Sequence, residues 1–343
     1  MKVVIIKFRS SMTWSDSIEL FTIHASDILK DKSVGLEVID VTSRSFFRKI
    51  FEIRKKNADI YLVHHTLPLW CYFLASFFSK KKAYVVSFLH EGEQLFSLSQ
   101  KLEPELFRKK LSNIIRGSDF FHKIPQRVSD RTFVLSNPYL SVCFGNNKSV
   151  LRFIGIDKNF CDKKTHLKDD KVSRVGSGLV KVLFPHDAKR PDKGFKFLEE
   201  YCQSKKSRAN SISILLPHYC SNKEMSALYN RADIVVVPTT TYETFSLVAL
   251  EAMNSNKFLI VSNKAGVTEH LLERYDEPSL RKIGVYIFFE LKEFFLILDE
   301  VRDRVVNKEF PKTKELFFDL KFDSLSTTQN VLEVIFDEYQ KQK

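Results

Sequence analysis

Glycine is scarce in this 343-residue chain, with only 10 residues, where ordinary usage of roughly 7% would supply about 24. Bare backbone that wraps a phosphate usually depends on glycine, yet the loop after the first apolar run, FRSSMTWSDS (8–17), contains none. Ser15, Asp16 or Ser17 would have to replace backbone contacts there with side-chain ones. The five cysteines, Cys71, Cys143, Cys161, Cys202 and Cys220, form no C-x-x-C pair. That spacing argues against a zinc site and against a disulfide framework, and it fits a reducing cytosol. Long apolar runs are also missing. The longest apolar stretch, Tyr61–Phe78, is divided by His64, His65 and Pro68 into a strand and a helix of about a dozen residues, too short to span a bilayer. The opening MKVVIIKF reads as a strand and not as a signal peptide.

Acidic residues are short in one half only. Residues 1–160 carry 25 Lys and Arg against 15 Asp and Glu, whereas 161–343 carry 29 against 27. The basic clusters of the first half, SFFRKIFEIRKK (45–56), FSKKK (78–82) and LFRKKLSNIIR (106–116), are interleaved with Phe and Ile. This pattern suits an anionic membrane surface better than a nucleic-acid groove, and no nucleic-acid-binding motif accompanies the charge.

At 44% hydrophobic and 28% charged residues, the chain should fold, and its length suits two domains. Strands are expected at Val3–Ile6, Ile60–His64, Ala83–Leu89, Thr132–Leu135 and Val150–Ile154. Helices are expected at Ser15–Leu29, Phe46–Lys55, Leu67–Ser79 and Glu103–Arg116. Such alternation predicts a parallel sheet with helices on both faces. Residues 161–178 are polar and charged and read as an interdomain linker. A second alternating series follows. Val180–Phe184, Ile212–Leu216, Ile234–Val237 and Phe258–Val261 are its strands, and Lys193–Gln203 and Lys223–Asn230 are helices. The expected domains are therefore 1–160, a linker at 161–178, and 179–321, with a C-terminal helix about 322–343 that crosses back to the first.

Chemistry concentrates in ADIVVVPTTTYETFSLVALEAMNSNKFLIVSNKAGVTEHL (232–271). The strand Ile234–Val237 stops at Pro238, and Phe245–Met253 is made of helix formers. Glu243 would stand just before the helix, with Glu251 about two turns inside. If the helix runs from Thr244, the carboxylates lie roughly 10–12 Å apart along its axis, the length of a nucleotide diphospho-sugar from ribose to sugar ring. Free N–H groups at the helix start would face the diphosphate between them.

Pro238, Glu243, Phe245, Ser246, Val248, Glu251, Ala252 and Met253, followed by Gly266, Glu269 and Leu271, resemble the E-x7-E region of retaining glycosyltransferases with the GT-B fold, family 4-like (glycosyl transferases group 1). The resemblance implies an α/β GT-B fold, two Rossmann-like domains with parallel sheets facing across a cleft. It implies a retaining, metal-independent transfer of sugar from a nucleotide-diphosphate donor to a glycan or lipid-linked acceptor. Glu251 would hold the ribose diol, and Glu243 the donor-sugar hydroxyls. Backbone N–H groups of Thr244, Phe245, Ser246 and Leu247 would join Arg190 and Lys193, from LFPHDAKRPDKGFKF (183–197), on the diphosphate. His90, at the end of YVVSFLH, would reach the donor, with His64 and His65 as weaker competitors for that role. Gly155-Ile156-Asp157 matches a G-[IV]-D that reads as structural. His186 and Asp187 are loose candidates for the cleft wall, and His218, Tyr219 and Cys220 for the nucleobase. No cofactor and no metal is implied: the cations come from side chains, and the first domain has no D-x-D. Domain closure over the donor would exclude water.

Surface polysaccharide or glycolipid synthesis on the cytoplasmic face of a membrane fits the basic, Phe-rich first domain. Two rival readings share the fold: a nucleotide-sugar epimerase, and an inactive scaffold or partner subunit favoured by the glycine-free first loop.

Overall fold

The computed structural model describes residues 1–8, 16–77, 82–89, 119–143, 147–160, 172–175, 179–204, 211–218 and 220–343. It divides into two compact units, Met1–Gly155 with Ser324–Lys343, and Ile156–Asp323. The expected helix at Glu103–Arg116 and the loop residues 9–15 lie outside the described residues.

The first unit is built on β1 (Lys2–Phe8), β2 (Gly35–Val41), β3 (Ile60–His64), β4 (Tyr84–Phe88), β5 (Arg131–Val134) and β6 (Lys148–Val150). These strands form one parallel sheet in the order β2-β1-β3-β4-β5-β6. Val3–Ile6 and Ile60–Val63 are apolar at successive positions because helices cover both faces, and these residues are buried. Helices α1 (Asp16–Asp31), α2 (Phe46–Arg54), α3 (Thr66–Ser76) and α4 (Asp119–Gln126) supply part of that cover. The strand expected at Val150–Ile154 is β6, which ends at Val150; only the Leu151 N–H continues the pairing, to Val134.

In the second unit the described strands are β7 (Val172–Val175), β8 (Val180–Leu183), β9 (Ile212–Pro217), β10 (Ile234–Val237), β11 (Phe258–Ser262) and β12 (Val285–Phe288). Their order is β12-β11-β10-β8-β9-β7. All pair in parallel except β7, which runs antiparallel to β9 at the edge. The stretch 161–178, read as linker, thus contributes an edge strand through Val172–Val175, since an edge strand needs less apolar character than a central one. The remainder of that stretch lies outside the described residues.

Helices α5 (Phe195–Ser204), α6 (Asn222–Arg231), α7 (Leu247–Asn254), α8 (Val267–Leu272), α9 (Glu277–Ile283), α10 (Leu291–Val306) and α11 (Thr313–Asp319) follow in chain order. Local chemistry sets their ends. At α6, Ser221 Oγ accepts the Glu224 N–H while the Glu224 carboxylate accepts the Ser221 N–H, a reciprocal cap. At α9, Asp276 accepts the Ser279 N–H. The last helix, α12 (Ser324–Lys341), belongs to the first unit. There Glu338 accepts from the Tyr84 hydroxyl at 2.9 Å and pairs with Arg131 at 3.2 Å.

Both sheets have the same winding. Among the parallel strands, the chain leaves the first, β1 or β8, for a neighbour on one side, then returns to build outward on the other. That reversal lies between β1 and β3 in the first unit and between β8 and β10 in the second. In open parallel sheets the carboxyl ends of the two strands flanking the reversal bound a crevice where ligands bind.

Candidate functional site

The second unit's switch point is where the charged residues converge. The loop leaving β8 carries His186, Arg190 and Lys193, and the loop leaving β10 carries Glu243. Fifty positions apart, the Lys193 ammonium and the Glu243 carboxylate meet in a hydrogen-bonded ion pair. Their side chains are only 11% and 5% exposed. A buried pair of this kind is costly to break from one side, about 3–5 kcal/mol.

Backbone contacts hold the two loops together. After the short turn Pro191–Lys193, Gly194 adopts a φ of +75°. A Cβ there would fall 1.8 Å from the Pro238 carbonyl oxygen, so only glycine lets the loops approach this closely. The Asp192 carbonyl accepts the Thr240 N–H at 2.9 Å and the hydroxyls of Thr239 and Thr240 at 3.1 and 3.2 Å. Lys264 Nζ donates to the Thr240 carbonyl at 2.6 Å. Arg190 forks onto the Asp192 carboxylate at 2.5 and 3.2 Å. Burial opposes ionisation of Asp192, but the Arg190 hydrogen bonds and charge, with Lys193, outweigh it and hold the carboxyl below its ordinary range. Asp187 accepts the Lys189 N–H at 3.0 Å and shapes the turn.

The helix carrying Glu251 begins later than its composition predicts. Thr244 and Phe245 are not helical, and α7 starts at Leu247. The reason is tertiary. The Glu243 N–H donates to Lys264, and the N–H groups of Gly266 and Val267 donate back to Glu243 and Phe245. These bonds tie 243–245 to the loop after β11 as a bridge of extended backbone. Gly266 permits that approach, because a Cβ there would lie 2.2 Å from the Thr244 carbonyl oxygen. The chain then turns into the helix through Ser246 at φ 94°, a region costly for a residue with a Cβ. Glu251 accordingly stands about 6 Å, one turn, inside the helix and not the expected two turns. Phe245 is a core residue, buried against His270 and Phe322, so only its backbone can serve a ligand. The half-exposed Leu247 opens the helix.

Three polar atoms on these loops, His186 Nε2, Thr244 Oγ1 and Ser246 Oγ, are shielded from solvent and have no hydrogen-bond partner among the described residues. Each such group costs about 1–3 kcal/mol unless something satisfies it. Burial pushes the His186 imidazole down to about 4; Glu243 and Asp192 pull it up, and Lys193 and Arg190 push it further down. It is therefore neutral at pH 7. Together the loops present cations, unsatisfied donors and a helix start, a set suited to an anion bearing hydroxyl groups.

Other expected residues do not join this cluster or are not described. His90 and Tyr219 lie outside the described residues. His218 is exposed after β9, and its carbonyl accepts from Cys220 Sγ at 3.7 Å. The Asp157 and Lys158 carbonyls accept from the Asn254 side chain at 3.2 and 3.3 Å, which ties the end of α7 to that segment of the second unit. His64 is stacked on Phe88 in the first unit's core, ring centroids 4.6 Å apart. Sequence reasoning missed Lys264 and Asp192. Neither forms a motif, and their roles exist only once the loops meet.

Residues 194–277 match the family described as Glycosyl transferases group 1. A lipopolysaccharide 1,2-N-acetylglucosaminetransferase of Salmonella typhimurium is 40% identical over 53 residues, 16% of this chain, and the match spans 14% of that curated relative. Among solved structures, sucrose-phosphate synthase from Thermosynechococcus elongatus superposes with a TM-score of 0.65 at 11% identity, over 99% of both chains. HepE of Anabaena in complex with UDP gives 0.60 at 13% identity, over 98% of this chain and 100% of that one; a further HepE structure holds UDP-glucose. The fold is that of the GT-B glycosyltransferases, and the second unit carries the group 1 signature.

Proposed function

We propose that the protein is a retaining glycosyltransferase that moves a sugar from a nucleotide-diphosphate donor to a glycan or lipid-linked acceptor of a surface polysaccharide or glycolipid. The observation that carries this reading is the buried Lys193–Glu243 pair at the second unit's switch point, inside and beside the group 1 segment. Lys193 and Arg190 supply positive charge to the leaving diphosphate, which the N–H groups opening α7 also face. Glu243 leaves Lys193 to accept hydrogen bonds from donor-sugar hydroxyls, and Glu251 accepts them from the ribose diol. Retention follows if the departing phosphate oxygen takes the acceptor's proton on the same face, so Glu243 is not assigned as nucleophile. The structural neighbours that hold UDP or UDP-glucose support a nucleotide-diphosphate sugar as the donor.

A membrane-borne acceptor is supported by α2. Its Phe46, Ile50 and Ile53 face the core, while Phe47 and Phe51, one turn apart, are 76% and 62% exposed. Exposed Arg44, Arg48, Arg54 and Lys55 surround them. Apolar rings amid exposed cations complement an anionic lipid surface. No helix among the described residues is long and apolar enough to cross a membrane.

Incubation with UDP-glucose, UDP-galactose, UDP-N-acetylglucosamine and GDP-mannose, with and without a lipid-linked glycan extract, tests the activity. Acceptor-dependent release of nucleotide, with the donor's anomeric configuration kept in the product by NMR, is expected. An epimerised nucleotide sugar formed without acceptor would favour the epimerase reading. Co-sedimentation with anionic vesicles, weakened by salt and by Phe47→Ser with Phe51→Ser, is expected; no binding at low salt would reject the membrane assignment.

A further inference from the structure

His186 has no role in the mechanism above, yet its position is unusual. It follows β8 at the switch point, its ring meets Phe184 edge-on with centroids 5.6 Å apart, and Nε2 is shielded and without a hydrogen-bond partner among the described residues. The charged groups that act on it all belong to the site: Lys193, Arg190 and Asp192 from its own loop, and Glu243 from the loop after β10. A purely structural histidine with a shielded ring nitrogen would be expected to hydrogen-bond that nitrogen or set it against apolar neighbours alone. Here one nitrogen is held open among two cations and two carboxylates.

We propose that His186 is a direct contact for the donor's diphosphate and takes up a proton when that anion binds. The inference rests on the donor-site reading and adds to it a third, conditional cation. Without ligand, the imidazole stays neutral, because burial and the adjacent Lys193 and Arg190 disfavour its charge. A bound diphosphate reverses the local field: Nε2–H donates to a phosphate oxygen, and the proton that charges the ring comes from solvent. A ring protonated only in the complex adds attraction for the diphosphate without burying a third free cation in the empty site. By linkage, a ligand that brings one proton with it binds more tightly as pH falls. The steepest dependence is tenfold per pH unit, between the histidine's free and bound titration ranges, with a plateau above the latter.

Calorimetric titration of UDP, GDP, ADP and CDP into wild type and His186→Gln at pH 5.5, 6.5 and 7.5 tests this. Two buffers of different ionisation enthalpy report the protons taken up. Titration of the nucleotide's own terminal phosphate is common to both proteins and cancels in the comparison. For whichever nucleotide binds, wild type should gain several-fold to tenfold in affinity per unit of falling pH relative to His186→Gln, with greater proton uptake. His186→Phe, which keeps the ring's bulk, should bind more weakly than His186→Gln at every pH. Identical affinities and pH slopes in wild type and both variants, each with a wild-type melting profile, would overturn the role of His186 and leave the donor site standing. Absence of nucleotide binding to wild type at every pH would overturn the donor-site reading and this inference together.

Discussion

The two sheets share a winding but differ at their switch points. In the second unit, the loops after β8 and β10 are clamped by Gly194 against Pro238 and joined by Lys193 and Glu243. In the first, β1 and β3 end at Phe8 and His64. Next to them His65 carries a φ of 72° and ψ of 160°, a combination that glycine adopts readily and other residues rarely do. Charge is paired across one reversal, whereas at the other the described strand ends set His64 against Phe88 and His65 against Phe8. Burial alone pushes His65 down to about 4, and burial together with the neighbouring His65 and Lys7 pushes His64 well below its ordinary range. One topology thus yields two kinds of surface, set by what the strand ends carry. Glycine, scarce overall, has been kept at the positions where the second unit's loops must touch.

The largest expected effect breaks that clamp. Gly194→Ala puts a Cβ onto the Pro238 carbonyl and forces an unfavourable φ, which should cost about 3 kcal/mol. Thermal unfolding should show it, together with loss of any nucleotide-induced stabilisation. Next, Lys193→Met strands the Glu243 carboxylate and should cost about 3 kcal/mol. Adding Glu243→Gln should restore most of that stability in denaturant titrations while transfer activity stays lost. If the double variant were no more stable than the single, the pair would not be what holds these loops.

Acid should act on both switch points. His65 and His186 are held neutral to about pH 4 in the folded chain, whereas in the unfolded chain they protonate near 6.5. The unfolded state therefore binds more protons between those values. Stability should be fully present above pH 6.5 and fall as pH drops toward 4, by up to about 3 kcal/mol per histidine. Replacing His186 with Gln should flatten that fall; an unchanged pH profile would contradict the assigned burial. The smallest effect is Ser246→Gly, which relieves the φ of 94° and should stabilise the fold by about 1 kcal/mol, read as a rise in Tm.

Much of the fold is legible in the sequence because parallel strands covered on both faces must be apolar at successive positions, as Ile234–Val237 and Phe258–Val261 are. Edge strands escape that rule. Glu37 and Asp40 interrupt β2, where they pair with Lys2 and Lys7, and β7 lies within a polar stretch. The E-x7-E segment is readable as a motif, but its helix start is not. Propensity favours helix from Phe245, and backbone bonds to Lys264, Gly266 and Val267 override it. The Lys193–Glu243 pair, the Asp192 carbonyl hub and the unsatisfied His186 nitrogen arise only when two distant loops meet. Composition and spacing carry no trace of that meeting.

The central claim is that the second unit's switch point binds a nucleotide diphosphate through Glu251 and the loops around Lys193. A thermal-shift screen of UDP, GDP, ADP and CDP against wild type and Glu251→Ala tests it most directly. The account predicts that one nucleotide, at a large excess over its Kd, raises the Tm of wild type by several degrees and leaves the variant unmoved. Stabilisation by none of the four, or equal stabilisation of the variant, would contradict it.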